Sequence, residues 1–371
     1  MKLGIAAIHK NYIGVSRHEL ISALQDLGYT VSYLGQGSDE EDHPDFKNLD
    51  VCFVDLPIER VNVNPVFELK TLFEIRKILI SVNLDSLIIY GIRTFPIMAL
   101  AGKLAGVENL ICIVNGTGRL FFIDGVYGFF VRLVSLPMLW LAFLLADFVF
   151  FQNPDDLALI KDKHLLWKQN FDRINGSGVN LDKYHVVPLE TNPVFIMICR
   201  VTGAKGVNEY IRAAQYVKVL YPEAVFQLIG RMDDRDQSIN QKAFQTTVQE
   251  NIIQYLGPVE DVRPYIAKTR FYVLPSYHEG TPRTVLEAMA MGRPILTTDA
   301  PGCRETVVDG VNGFLVPIRD ANALAEKMIW MIEHPEAVAR MGERSRRLAE
   351  EKFDVHKVNS VIISKLQQLD N

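Results

Sequence analysis

Short apolar runs rich in β-branched and aromatic residues alternate with helical patterns along almost the whole chain, and this alternation restricts the fold more than any other feature. KLGIAAI at 2–8, TVSYLG at 30–35, VCFVDL at 51–56, SLIIYG at 86–91, NLICIV at 109–114 and FVFFQN at 148–153 read as strands. Helical patterns over 16–27 and 65–82 separate them. Runs that are apolar on both faces suit parallel strands covered by helices on either side, so the expected class is α/β with doubly wound sheets. Around 176–193 the rhythm pauses in Gly, Pro, Asn and Asp (GSGVNLDKYHVVPLETNP), a plausible domain boundary. A second series then begins: VFIMICR, AVFQLIG, IIQYLG, RFYVLP and RPILTT. Two such domains would present the carboxyl ends of their strands across a cleft, where ligands bind in sheets of this kind.

The stretch EGTPRTVLEAMAMGRPIL at 279–296 carries the clearest chemistry. Thr281 suits an N-cap and Pro282 the first helical position, and Val285, Leu286, Met289 and Ala290 follow at helical spacing. Glu279 then falls in the loop above the helix mouth. Glu287 lies about six residues into the helix, roughly 9 Å down its axis at ~1.5 Å per residue. At ~100° per residue the two carboxylates stand roughly 80° apart, so they form no single stripe. The amides near Arg283 and Thr284 make a seat for an anion. A phosphate there would have a carboxylate on either side, each suited to sugar hydroxyls, as a nucleotide-sugar requires. The plainer alternative pairs Arg283 with Glu287 on a solvated face and leaves Glu279 complementing the positive helix end.

Bulk properties narrow the remaining classes. With 371 residues, 49% of them hydrophobic and 22% charged, the chain can bury two sizeable cores. A net charge of −5, with no basic arm or zinc pattern, argues against nucleic acid as a partner. Cys52, Cys112, Cys199 and Cys303 are far apart, three of them in strand-like runs, which suits buried thiols in a reducing cytoplasm. The opening MKLGIAAIHK reads as a strand, not a signal peptide. The acidic GSDEEDHPDFKN at 37–48 reads as a loop and receives no chemistry.

Residues 126–146, VYGFFVRLVSLPMLWLAFLLA, hold one charge and are long enough to cross a bilayer. Pro137 interrupts the run, Arg132 would be costly at mid-bilayer, and a strand follows at once, so a buried or interfacial helix is expected. An interfacial helix would press Trp140 and its neighbours among lipid headgroups. Between 60 and 132, Arg60, Lys70, Arg76, Lys77, Arg93, Lys103, Arg119 and Arg132 outnumber five acids. That excess favours an anionic leaflet or a phosphate-bearing acceptor, although a solvated surface explains it equally well.

SYHEGTPRTVLEAMAMGRPILTTDAPGCRETVVDGVNGFLVP, CRVTGAKGVNEYIRAA and GSGVNLDKY together resemble the signature segments of the retaining GT-B glycosyltransferases of family four. Among its members the chain looks most like bacterial enzymes that extend polyprenyl-diphosphate-linked saccharides in surface-polysaccharide or glycan assembly. The resemblance implies two Rossmann-like domains: residues 1–188 on the acceptor side, residues 189–354 binding the donor, and a terminal helix at 355–371 returning to the first. It implies Arg200 and Lys205 on the donor diphosphate, as a planar fork and a point charge. It also implies Gly280, Thr281 and Pro282 with the amides of Arg283, Thr284 and Val285 around the phosphates, Glu287 on the ribose, and Glu279 at the transferred sugar.

Its implied partners are a UDP-sugar, a polyprenyl-diphosphate-linked saccharide and the cytoplasmic membrane face, with no metal or other cofactor. In the first half YIGVSRHEL keeps Gly14 and Arg17 of the family's phosphate loop but has Ile13 for its first glycine. IVNGTGR places Asn115 where some members have a histidine, so no catalytic histidine is carried over, and His9 and His18 receive no role. Arg93 and Arg119 are candidates for an acceptor diphosphate. Asp234-x-Asp236 in GRMDDRDQ is a pattern that binds divalent ions in a different transferase fold. A nucleotide-sugar 2-epimerase and a non-catalytic sugar-nucleotide sensor or scaffold are the rival functions, since fold does not fix function.

Overall fold

The computed structural model describes all residues except 10–16, 37–48, 59–64, 118–120, 122–124, 234–235 and 371. Two compact units divide the chain: Met1–Ser177 with His356–Asn371, and Gly178–Val355.

The first unit is built on a seven-stranded sheet in which every pair is parallel. In spatial order the strands are β3 (Cys52–Asp55), β2 (Thr30–Gln36), β1 (Lys2–His9), β4 (Ser86–Tyr90), β5 (Asn109–Val114), β6 (Phe148–Phe151) and β7 (Phe171–Arg173). Every residue of β4 is buried, as continuous apolar runs demand of a strand covered on both faces. One face is covered by α2 (Pro65–Val82), α3 (Phe95–Ala105) and α4 (Gly125–Leu145), with Leu72, Ile75, Met98, Leu139 and Phe143 in the packed layer. The other is covered by α1 (His18–Asp26) and α12 (Val355–Asp370) through Leu20, Leu24, Val358, Ile362 and Leu366. Asp370 fastens the end of α12, accepting from the Tyr29 hydroxyl at 2.7 Å, Ser86 Oγ at 2.8 Å and Asn109 Nδ2 at 2.9 Å.

Two readings of this half change. Cys52 is exposed, because β3 is an edge strand. Pro137 does not interrupt its helix: α4 runs unbroken from Gly125 to Leu145.

The second unit holds a six-stranded parallel sheet: β10 (Gln254–Gly257), β9 (Val225–Ile229), β8 (Val194–Ile198), β11 (Phe271–Leu274), β12 (Ile295–Thr298) and β13 (Gly313–Val316). Phe195 stacks on Phe226 and Phe271 at centroid distances of 5.0 and 4.4 Å, which locks three neighbouring strands. α6 (Val207–Leu220) packs with α10 (Ala321–Glu333), and α9 (Arg283–Ala290) with α11 (Pro335–Lys352).

The unit begins at Gly178, inside the pause at 176–193 and earlier than the division at 188–189 that the resemblance implies. Val179 donates to the Phe353 carbonyl at 2.8 Å, and the buried Arg293 guanidinium donates to the carbonyls of Val187, Pro188 and Thr269. The loop-like stretch is therefore part of the second core.

Candidate active site

The site assembles at the carboxyl ends of β8 and β11. Past β8 the chain makes a tight turn, Gly203–Lys205, and enters α6 through Gly206. Gly206 has φ +76°, and a Cβ there would meet the Pro275 carbonyl, so only glycine lets the turn close against the loop after β11. Asp236 holds the same turn from the other side: it accepts from the amide of Gly203 at 3.0 Å and from Ser238 N at 2.9 Å and Oγ at 2.5 Å. Asp236 is a brace for the Lys205 turn, and Asp234 lies outside the described residues. Among the described residues no group of three or more His, Cys, Asp or Glu side chains could hold a metal ion.

The loop 275–282 carries Glu279 over this turn. Tyr277 N donates to the Ala204 carbonyl at 3.0 Å, and its hydroxyl donates to Glu209 Oε1 at 2.9 Å. Glu279 N donates to the Pro301 carbonyl, and Gly302 (φ +75°) lies so close to the Glu279 and Gly280 carbonyls that a side chain there would displace them. The result is an ion pair between residues distant in sequence: Lys205 Nζ lies 2.5 Å from Glu279 Oε1, with side chains 22% and 14% exposed. Burial opposes the ammonium charge, but the Glu279 carboxylate outweighs it, so Lys205 is held above the ordinary lysine value. Cys199 and Cys303 are close enough to feel this pair, and burial pushes both thiols up to about 12, so they remain neutral.

The helix mouth differs from the sequence expectation in one respect. α9 begins at Arg283 with Pro282 as the N-cap residue in extended conformation, and no side chain caps it. Thr281 is buried one residue further out. Proline can occupy this position because its missing N–H is needed by no helical bond. Val285 N already donates to the Pro282 carbonyl at 3.0 Å, which removes that amide from the anion seat. Arg283 and Thr284 remain at the helix mouth, where first-turn amides have no intrahelical acceptor, and Thr284 Oγ1 ties the mouth to the Ile198 carbonyl of β8 at 3.1 Å.

Glu287 is 2% exposed and pairs with Arg283 Nε at 2.9 Å. The Arg283–Glu287 pair thus exists, but its acid is buried, not on a solvated face. Tyr184 stands beside it: burial, then the Glu287 carboxylate, hold its phenol above the ordinary value. Arg346 fixes that neighbour by donating to the carbonyls of Tyr184 and Ala290. Arg200 does not join the Lys205–Glu279 pair; it is half-exposed, 3.7 Å from Asp233.

In the first unit, Arg93 and Asn115 are exposed at the carboxyl ends of the adjacent strands β4 and β5. Arg17 is buried with its guanidinium 3.7 Å from the Tyr90 ring centroid. Gly14 and Arg119 lie outside the described residues. Sequence reading missed the bracing roles of Tyr184, Tyr277, Glu209 and Asp236, which no local pattern announces.

The second unit is a parallel doubly wound α/β unit with a lysine–carboxylate pair and a helix mouth at its strand ends and a second, buried carboxylate within α9. Comparison with known proteins shows what the chain is similar to. Residues 192–334 match the family model "Glycosyl transferases group 1". N,N'-diacetylbacillosaminyl-diphospho-undecaprenol alpha-1,3-N-acetylgalactosaminyltransferase of Campylobacter jejuni is 28% identical over 289 residues, 74% of each chain. The capsular polysaccharide biosynthesis glycosyltransferase CapM of Staphylococcus aureus is 26% identical over 51% of this chain and 48% of its own. The structure of Anabaena HepE in complex with UDP and glucose superposes with a TM-score of 0.80 at 18% identity, over 99% of this chain and 100% of that one. Residues 192–334 are thus similar to the group 1 glycosyltransferases, and the two parallel α/β units have the GT-B fold.

Proposed function

We propose that the chain is a retaining transferase that moves a hexose or N-acetylhexosamine from a UDP-sugar to a lipid-linked saccharide, in bacterial surface-polysaccharide or glycan assembly at the inner face of the cell membrane. The observation that carries this reading is the Lys205–Glu279 pair beside the mouth of α9. The names of the Campylobacter and Staphylococcus relatives support the acceptor class, and the UDP in the HepE complex supports the nucleotide.

The chemistry follows from where the charges stand. Cleavage of the sugar–phosphate bond leaves an oxocarbenium-like carbon and a diphosphate whose negative charge grows. Lys205, the amides of Arg283 and Thr284, and the positive end of α9 meet that charge, and they stabilise it more in the transition state than in the bound substrate. Once the diphosphate takes over Lys205, Glu279 is released to face the sugar and steady the carbon. Glu287, fixed by Arg283, accepts from the ribose hydroxyls. No metal is needed for a leaving group neutralised in this way. Departure and attack on the same face of the sugar retain the anomeric configuration.

The test is a set of UDP-, GDP- and dTDP-sugars offered with a polyprenyl-diphosphate-linked saccharide, with nucleotide release and the product's anomeric proton coupling as readouts. Lipid-dependent release of UDP with retained configuration is expected. Release without lipid, or inversion, would overturn the corresponding part of the reading.

A further inference from the structure

α4 holds a single charge, Arg132, and among the described residues only one side of it is covered. Leu139, Ala142 and Phe143 are buried against the sheet. The opposite side carries Phe130, Leu133, Val134, Met138 and Leu141, exposed by 37–58%, with Pro137 among them, at the three- and four-residue spacing of a single helical face. Phe129 and Trp140 flank that stripe, 59% and 38% exposed. The window Gly128–Leu145 has a mean hydropathy of 2.0 and is only 22% buried. A helix on a water-facing surface places polar residues outward, and none of these exposed positions is charged.

On the far side of α3, α2 carries further exposed apolar residues and adds charge. Leu69, Phe73 and Ile80 are exposed on α2 by 57%, 56% and 46%; Lys70, 3.8 Å from Glu74, lies among them with Arg76 and Lys77, so cations outnumber the acid on this face. α2 packs on α3 and α3 on α4, all three against the same side of the sheet, so their outer faces turn away from it together. We infer that the outer faces of α4 and α2 form one docking surface for an anionic bilayer, with the apolar stripe of α4 among the acyl chains and the α2 cations on acidic headgroups. Cations interleaved with large apolar side chains match such an interface, where Trp140 also finds its preferred depth. α4 lies on the membrane and does not cross it, because Leu139, Ala142 and Phe143 are core residues and β6 begins at Phe148 within the same sheet.

The placement deepens the proposed function and rests on it for its purpose. α4 follows the loop that leaves the carboxyl end of β5, so Phe129 and Phe130 stand toward the end that bears Asn115, where a lipid-carried acceptor would arrive.

The docking itself is testable without acceptor, by co-sedimentation with vesicles of equal parts phosphatidylglycerol and phosphatidylcholine and with vesicles of phosphatidylcholine alone. Wild type should sediment with the anionic vesicles. The double variant Phe130→Glu/Leu133→Glu should lose at least about tenfold in partitioning, since each carries apolar area out of water on docking. Lys70→Glu/Lys77→Glu should lose a comparable factor on anionic vesicles alone, at about fivefold or more per headgroup contact. UDP-dependent thermal stabilisation should be unchanged in both variants, which shows that the donor unit is intact. Wild type that ignores vesicles, or an Phe130→Glu/Leu133→Glu protein that binds as wild type does, overturns the inference. So does a wild-type dimer by analytical ultracentrifugation that the double variant dissolves without any vesicle binding. Vesicle binding without transfer to a polyprenyl acceptor would leave the docking and sink the function; transfer to detergent-solubilised acceptor without vesicle binding would do the reverse.

Discussion

The two units have the same parallel architecture but use their outer residues differently. At its strand ends the second unit pairs its charges tightly: Lys205 with Glu279, Arg283 with Glu287, and Asp236 with the Gly203 turn. In the first unit the most unusual surface is the stripe on α4, whose most exposed positions carry no charge. A diphosphate demands fixed charges in a shielded place, because electrostatic stabilisation grows as water is excluded. A lipid-carried acceptor demands a broad apolar face. Under the proposed function, this difference between the units corresponds to the two substrates.

The largest expected effect tests the charged side of that contrast. Glu279→Ala should lower kcat about a hundred- to a thousandfold, the scale for removing one preorganised group at a reacting centre, with the fold retained by circular dichroism and a lowered thermal transition because the buried Lys205 loses its partner. Asn115→Ala in the first unit should cost far less. Equal losses in steady-state transfer assays would erase the asymmetry between the units.

The next effect concerns what holds the second unit together. Arg293 is fully buried, and burial pushes its guanidinium down to about 10 while it donates to three backbone carbonyls. Arg293→Ala should destabilise the second unit by about 3 kcal/mol, through lost charged hydrogen bonds and a cavity. In urea, the emission of Trp330 would shift before the signals of the first unit. A single coincident transition at the wild-type midpoint would show that Arg293 is not the anchor.

A smaller effect is expected where a brace, not a ligand-binding group, is removed. Asp236→Ala frees the Gly203 turn and should weaken UDP binding about tenfold by calorimetry, the worth of roughly one charge-assisted hydrogen bond. Retained binding that instead became dependent on a divalent ion would return Asp236 to a metal role.

The smallest effect belongs to the first unit. Burial, then Asp370, pushes the Tyr29 phenol up to about 12 from an ordinary value of 10.0. Because the folded value is the higher one, the contribution is complete below pH ~10 and is lost as pH rises toward ~12. Hydrogen exchange of α12 should accelerate over that window in wild type, and Tyr29→Phe should lack the step. An identical alkaline step in Tyr29→Phe would exclude this clasp as its cause.

Several elements could be read directly from the chain. The spacing at 65–82 and the apolar run at 126–146 correspond to helices at Pro65–Val82 and Gly125–Leu145, since length and apolar content are local properties. Boundaries that depend on neighbours were less legible. Thr281 and Pro282 shift by one position at the α9 mouth because the loop must also reach Pro301. Pro137 looked like a break, yet the helix continues, held by the core contacts of Leu139, Ala142 and Phe143.

The candidate site divides in the same way. Glu279, Lys205, Glu287 and Arg283 stand out in the sequence as residue types in a recognisable order. That Lys205 meets Glu279, that Glu287 is buried, and that Asp236 braces a turn could not be read there. Those facts depend on two strands lying side by side and on the turns that glycines at 206 and 302 permit.

What the sequence determined by itself was periodicity and chemistry: a parallel α/β chain in two units, a donor-type motif, and a 21-residue helix with one charge. Only the tertiary structure decided which side of that helix remains uncovered and which carboxylate faces which cation. Burial and pairing are properties of residues brought together across the chain, and they exist only once the sheets have formed.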